Sequence, residues 1–383
     1  MKVQKVSFEN SNQVAWLVIG DDFLPVDPIQ DFLEYYRNID RSPNTIRSYA
    51  YHLKLYWEYL EAKELDWTAV KVPDLADFMF WLRYPLPKDV ASMMPQESQR
   101  SEASINGILT AICMFYDFHE KTGQVPHIPL YRSKVMPGNR YKGFLHHITK
   151  GKAVKTRLLK LKVPKRAPKT IEEGQIQELI DACTRRRDKF LLCLLHETGM
   201  RIGQALGLRH EDIESMDNIV RIVPRSDNAN GARAKTMETY DLHVTKELMG
   251  LYTEYVLEEV LEILGDAPSD YVFVNLWDGV KGNPMHYNNV MDLFRRLKRK
   301  TGIAIHPHML RHTHATELIR QGMAMAYVQK RLGHQSIQTT IDTYVHVSNE
   351  DMKHEYQKYI ENRDGDETEP AAIEAASNHN TTD

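Results

Sequence analysis

The sequence predicts a mainly α-helical protein carrying a small antiparallel β-hairpin or sheet, arranged as two domains. Three observations lead there. Most of the chain sets apolar residues at helical spacing between caps and glycine stops. Period-two alternation is confined to two short stretches, one near the start and one between residues 218 and 244. A basic segment broken by proline and glycine, 132–169, separates two helical regions. The length, 383 residues, also exceeds one ordinary compact domain.

Residues 1–26 alternate weakly through Val14, Trp16 and Val18 and end at Gly20-Asp21-Asp22 and Pro25, which reads as a hairpin-like N-terminal arm. From Pro28 the pattern is helical. Ser42-Pro43 offers a cap and a first-turn proline, and Ile46, Tyr49, Leu53 and Leu60 keep one apolar face. A second helix follows Pro73-Asp74 with Leu75, Phe78 and Leu82 inward. A third uses Ile105, Ile108, Ile112 and Phe115 and stops near Gly123. These make a helical domain over 27–131. The stretch 132–169, with Pro137-Gly138, Gly143, Gly151, Pro164 and Pro168, reads as an interdomain linker.

A second domain, 170–361, opens at Thr170-Ile171-Glu172-Glu173, which has capping-box spacing. Ile176, Leu179 and Ile180 face inward on its first helix, and the apolar run Phe190–Leu195 stops at Gly199. Asn218–Pro224 and Thr236–Val244 form a hairpin with the long polar tip 226–231. Helices resume from His286, and the acidic stretch 362–383 is expected to be disordered.

Composition narrows the function. No run of about 18 apolar residues is present, so no membrane span is expected. The start lacks an apolar signal core, which argues against export and for the cytoplasm. Cys113, Cys183 and Cys193 sit in apolar helical runs without CxxC spacing, as reduced buried thiols do. A net charge of −3 conceals thirteen Lys or Arg and no Asp or Glu in 132–169, balanced by acidic residues from Glu361 onward. A basic run of this kind is either solvated linker or the footprint of a nucleic-acid binder.

Five places could carry chemistry, each with a plain structural alternative. Arg201 follows a glycine helix stop and opens the next helix, where backbone amides and a guanidinium could share a phosphate; otherwise it is a surface arginine. His308 and Arg311, three apart on a helix begun by Pro307, share a face. His306, His308, His312 and His314 could suggest a metal, but the His-Glu-x-x-His glutamate is missing and nothing elsewhere completes a shell, so no metal is expected. His334, in Leu332-Gly333-His334, sits at a helix end, where histidines often serve as caps. Tyr344 shares a face with Ile337 and Ile341, as a half-buried core tyrosine would. Lys235 lies at the base of the hairpin and carries little signal alone.

Their order and spacing carry the information. Arg, hairpin Lys, His-x-x-Arg-His-Thr, Leu-Gly-His and a Tyr ten residues later together resemble the tyrosine recombinase (phage integrase) family, over Thr170 to Tyr359. The helical first domain, with Ser42-Pro43-Asn44-Thr45 at a helix start, is similar to the family's SAM-like core-binding domain. The resemblance implies a catalytic domain in which Tyr344 attacks a DNA phosphodiester to give a 3′-phosphotyrosyl link. Arg201 and Arg311 would grip the non-bridging oxygens, Lys235 would be the general acid, and His308 and His334 would manage the tyrosine proton. It implies no cofactor, metal or ATP. It also implies a clamp of helical domain and linker around duplex DNA, with Arg47, Lys54, Lys142, Lys150, Lys152, Lys155 and Arg157 as phosphate contacts. The partners expected are specific recombination sites, a homotetramer on DNA and accessory recombination proteins. Residues Ser348–Ile360 are a candidate to dock on a neighbouring protomer or on their own domain.

Two departures from the family stand out. Gln204 occupies a position often held by Glu, and Arg233 competes with Lys235 for the general-acid role. The arm and long linker resemble those of transposon-borne integrases more than those of host chromosome-dimer resolvases. The alternatives are a catalytically idle DNA binder and a type IB topoisomerase acting as a monomer.

Overall fold

The structure is a computed structural model that describes residues 1–7, 14–85, 98–134, 154–164, 169–225, 227–235, 238–265, 269–277, 279–333, 356–357 and 360. The chain divides into two compact units, Met1–Lys165 and Arg166–Asp383.

The first unit is built on four helices: α1 (Asp27–Asn38), α2 (Pro43–Ala62), α3 (Val72–Arg83) and α4 (Glu102–Lys121). Proline stands in the first turn of α1, α2 and α3, where its missing N–H costs no hydrogen bond. Ser42 precedes α2 without a side-chain cap, so that start rests on Pro43. At α3 the Asp74 carboxylate accepts the Lys71 N–H at 2.8 Å, and at α4 Ser101 Oγ accepts the Ser104 N–H at 3.3 Å. The buried faces are unusually aromatic: Phe32, Tyr56, Phe78, Phe115 and Tyr116 are enclosed, with the Tyr56 and Tyr116 hydroxyls bonded at 2.7 Å.

Two readings of this unit are refined. The N-terminal arm is a hairpin, as its alternation predicts, and it packs on the helices. Strands β1 (Lys2–Ser7) and β2 (Val14–Ile19) pair antiparallel, and Val18 is buried in the helical core, because a two-stranded ribbon needs a surface on which to bury its apolar face. The segment 132–169 is likewise more than a linker. Strands β3 (Tyr131–Lys134) and β4 (Val154–Arg157) pair antiparallel. Beyond them the Asn106 side chain brackets Leu161, accepting its N–H and donating to its carbonyl, both at 2.9 Å. Leu159 and Leu161 pack on the core of this unit.

The second unit buries its core between helices and a small sheet. Its elements are α5 (Glu173–Asp181), α6 (Arg186–Thr198), the one-turn α7 (Ile202–Ala205), β5 (Ile213–Glu214), β6 (Ile219–Ile222), β7 (Tyr240–His243), α8 (Lys246–Tyr255), α9 (Leu261–Leu264), α10 (Tyr287–Thr301), α11 (Pro307–Arg320) and α12 (Met325–Leu332). A π-turn, Val256–Val260, joins α8 to α9. The expected hairpin is the β6–β7 pair, to which β5 adds a third, two-residue strand in the order β5-β6-β7. Glycines in the left-handed conformation end α6 (Gly199), α10 (Gly302) and α12 (Gly333). The capping box sits two residues later than the sequence suggested: Glu172 is the N-cap, and its N–H reaches Gln175 Oε1 at 3.4 Å. The Ile171 N–H goes instead to Thr313 Oγ1 on α11, at 2.9 Å. Among the described residues, no helix is long and apolar enough to cross a membrane.

Candidate active site

Two helix C-termini converge in the second unit, and the site is assembled on them. The last carbonyls of any α-helix lack intrahelical partners and carry the negative end of its dipole. Gly199 and Gly333, turning left-handed after α6 and α12, present such carbonyls to one another's neighbourhood. The Arg311 guanidinium fills the gap. Its Nη1 donates to Gly199 O at 2.8 Å and its Nη2 to Leu332 O at 2.7 Å. Arg311 is only 3% exposed. It therefore stands inward from His308, which is exposed one turn earlier on α11, and does not share a solvent face with it. The helical spacing was read correctly, but the reach of the arginine carries its head between the two helix ends.

Arg201 approaches the same place from α7. Its Nη1 donates to Gly333 O at a long 3.4 Å, so both guanidiniums are seated on the carbonyls of the Leu-Gly-His turn. The backbone amide of Arg201 is already taken, because Gln204 Oε1 accepts it at 2.8 Å. That takes one of the amides at this helix start out of reach of a phosphate. It also shows what the glutamine does in place of Glu: buried to 3% exposure, it caps Arg201 and donates from Nε2 to the Tyr240 hydroxyl at 2.9 Å. Burial raises the Tyr240 pKa, while the hydrogen bond from Gln204 and the nearby Arg311 and Arg201 oppose the rise.

Lys235 comes in on the hairpin arm. The long polar tip is anchored: Asn230 Nδ2 donates to Leu206 O at 2.9 Å and Met285 O at 2.8 Å, while Asn228 Nδ2 donates to Ala232 O at 2.9 Å. The arm lies so close to α7 that a Cβ on Gly203 would stand 2.5 Å from Arg233 O, which requires glycine there. Ala234 is buried and Lys235 is exposed at φ +55°, a left-handed conformation that costs a lysine about 1 kcal/mol. Backbone strain of this kind is concentrated at functional positions.

The electrostatics tie these residues together. The His308 pKa is lowered, first by burial and then by Arg311, His306, Lys235 and Arg201, all pushing in the same direction. Arg201, Lys235 and Arg311 thus lie near enough to His308 to disfavour its protonated form, although Arg311 itself is buried. His312, whose ring centroid is 6.3 Å from that of His308, is lowered in the same way, chiefly by burial. Among the described residues, no group of three or more His, Cys, Asp or Glu side chains comes together as metal ligands do.

His334 and Tyr344 lie outside the described residues, as do Lys142, Lys150, Lys152 and the side chain of Lys155. The acidic stretch 362–383 and most of Ser348–Ile360 do as well. In the first unit, Arg47 lies over the rings of Trp16 (5.3 Å) and Tyr51 (5.9 Å) and is exposed. Lys54 and Arg157, the other expected phosphate contacts placed here, are engaged within the fold. Lys54 Nζ pairs with Glu58 at 2.7 Å. Arg157 Nη1 donates to Asn106 O at 2.9 Å and Thr110 Oγ1 at 2.6 Å.

Sequence reasoning singled out Gln204 but missed three other supports of the site: Tyr240, the buried His314 and Arg331. Of these only His314 lay within a recognisable motif, and there it was weighed solely as a metal ligand.

Comparison with known proteins adds the following. The Phage integrase family matches residues 169–351, and the Phage integrase N-terminal SAM-like domain matches residues 29–123. Transposase A from transposon Tn554 of Staphylococcus aureus is 42% identical over 364 residues, covering 95% of this chain and 99% of the relative. Tyrosine recombinase XerA of Saccharolobus solfataricus is 31% identical over 197 residues, covering 51% of this chain and 58% of the relative. Among solved structures, the Tn1549 transposon integrase in complex with transposon right end DNA shares the fold at TM-score 0.59 and 15% identity, covering 87% of this chain and 99% of that one. XerH recombinase bound to a palindromic difH substrate does so at TM-score 0.59 and 17% identity, covering 87% and 95%.

Proposed function

The chain belongs to the phage integrase family of tyrosine recombinases, and from that premise we propose that it cuts and rejoins duplex DNA through a 3′-phosphotyrosyl intermediate on Tyr344. It is a site-specific DNA recombinase of the kind found in transposons. The observation that carries the mechanism is the convergence of two arginines, Arg311 and Arg201, on the carbonyls of Gly199, Leu332 and Gly333 at the meeting of two helix ends.

Phosphoryl transfer builds negative charge on the non-bridging oxygens of the scissile phosphate. Two guanidiniums fixed in advance can stabilise that charge without a metal ion. Arg311 and Arg201 are seated on backbone carbonyls, which fixes the two guanidiniums that are assigned here to the scissile phosphate. The Tyr344 oxygen attacks phosphorus and the bond to the 5′-oxygen breaks. Lys235, at the rim, delivers the proton that the leaving oxygen needs. His308, with its pKa lowered and therefore neutral near pH 7, accepts the tyrosine proton together with His334. The phosphotyrosine conserves the bond energy, so rejoining is the same chemistry reversed and needs no ATP. The substrate is duplex DNA at the recombination sites of a mobile element, in the cytoplasm, with a tetramer as the working assembly and accessory proteins as its helpers. Arg47 and the basic residues of 132–169 supply phosphate contacts, so binding should weaken steeply with salt.

The test uses nicked suicide substrates drawn from the ends of the encoding element, incubated without metal with wild-type and Tyr344→Phe protein. A denaturation-resistant adduct at the 3′ side with wild type only is the expected result. An adduct that persists in Tyr344→Phe would move the nucleophile elsewhere, with Tyr327 as the next candidate. Tight DNA binding with no adduct would favour an idle DNA binder.

A further inference from the structure

Arg331, which none of the proposed chemistry uses, makes three hydrogen bonds directly beneath the site. Its Nε donates to His314 Nε2 at 3.1 Å, its Nη1 to His243 O at 3.1 Å and its Nη2 to Glu197 O at 3.1 Å. One guanidinium therefore joins α12 to α11, to the end of β7 and to the last turn of α6. The residues just after it, Leu332 and Gly333, offer the carbonyls on which Arg311 and Arg201 sit. The other carbonyl that holds Arg311, Gly199 O, lies two residues beyond Glu197.

We propose that Arg331, with His314 as its acceptor, is a positioning residue for the phosphate-binding arginines: it braces the two helix ends so that their carbonyls present Arg311 and Arg201 in a fixed geometry. The proposal rests on the recombinase reading and adds to it a residue that never touches DNA.

The chemistry of the brace is self-consistent. For His314 Nε2 to accept from a guanidinium, the ring must be neutral, with its proton on Nδ1. Burial drives the His314 pKa down to about 3, and Arg331, His196 and Arg311 push it the same way, so the acceptor persists throughout the neutral range. Three bonds in a planar fork fix orientation as well as distance. A lysine has three donors but on one nitrogen, so it cannot reach acceptors spaced for the Nε, Nη1 and Nη2 of a guanidinium. Gly199 leaves the room required: a Cβ there would stand 2.6 Å from His314 Cδ2. The two arginines thus bridge the same pair of helices, α6 and α12, Arg311 through Gly199 and Leu332 and Arg331 through Glu197.

The experiment compares wild type, Arg331→Met, Arg331→Lys, Arg311→Lys and the Arg311→Lys/Arg331→Met double variant. Each is measured for single-turnover adduct formation on the suicide substrate at saturating DNA, for DNA affinity and for thermal melting. Arg331→Met should slow adduct formation by about 10-fold to 100-fold, with affinity altered by less than about 2-fold, and Arg331→Lys should fall between. Because Arg331 acts through Arg311, its loss should cost much less in the Arg311→Lys background than in wild type. If Arg331→Met melts below the assay temperature, Arg331→Lys and its pairing with Arg311→Lys carry the same test. Losses that simply multiply in the double variant, or a rate that falls only in step with melting and affinity, would overturn the proposal. An active wild type matched by an equally active Arg331→Met would overturn the brace alone, whereas an inactive wild type would refute the recombinase reading and the brace with it.

Discussion

Gly203→Ala tests how the hairpin arm delivers Lys235. The new Cβ would stand 2.5 Å from Arg233 O, 3.4 Å from its C and 3.4 Å from its N, all backbone atoms. Ordinary contact begins at 3.4 Å, so the Arg233 carbonyl must retreat by about 0.9 Å. It cannot do so freely, because Ala234 is buried, Asn230 ties the arm to Leu206 and Met285, and Asn228 closes the arm on Ala232. Overpacking of this kind costs about 1–3 kcal/mol, and a misplacement of about 1 Å at a reacting group costs about 100-fold in rate. The expected result is adduct formation slowed by about 10-fold to 100-fold, with the melting temperature lowered by a few degrees and DNA affinity little changed. A substrate with a 5′-thiol-type leaving group, which needs no proton, should recover most of the loss, since the displaced group is the acid. Wild-type cleavage by Gly203→Ala would refute the claim that this close approach positions the lysine. A loss of equal size on both substrates would refute the assignment of Lys235 as the acid.

Three further outcomes follow from the same geometry. The His314 pKa is about 3 in the folded protein against about 6.5 unfolded, so its contribution is fully present above pH 6.5 and is lost as pH falls toward 3, at up to about 1.4 kcal/mol per pH unit; urea midpoints between pH 7 and 4 should show this slope, reduced in His314→Phe. The His308 ring should titrate below 6.5 in the free protein and higher once a phosphodiester offsets the surrounding cations, which nitrogen NMR of labelled histidines would follow; no upward movement on binding DNA would place the phosphate elsewhere. Thr313→Val should cost about 1–3 kcal/mol of stability in denaturant unfolding, because it leaves the Ile171 N–H buried without its acceptor; a change under about 0.5 kcal/mol would show that the bond contributes little.

What could be read in the sequence was local. Helix stops at Gly199 and Gly333 need only the left-handed freedom of glycine, and the first-turn prolines need only their fixed φ. Arg201, Lys235, His308 and Arg311 were found by resemblance, and periodicity alone would have left each as surface. What could not be read depends on partners far along the chain. Arg331 meets acceptors 17, 88 and 134 residues away, and nothing in its own neighbourhood marks it. The burial of Arg311 follows from where two helices end in space, not from its own helix. Composition revealed the basic charge of 132–169 but not that Arg157 spends its charge on α4. The strands β3 and β4 span four residues each, too few for alternation to stand out among so many lysines.

The bond between Ile171 and Thr313 has a mechanical meaning. The polypeptide leaving the first unit is fastened, six residues into the second, to α11 two residues past Arg311. The segment that opens the second unit is thereby stapled to the same helix, α11, from which Arg311 reaches the ends of α6 and α12.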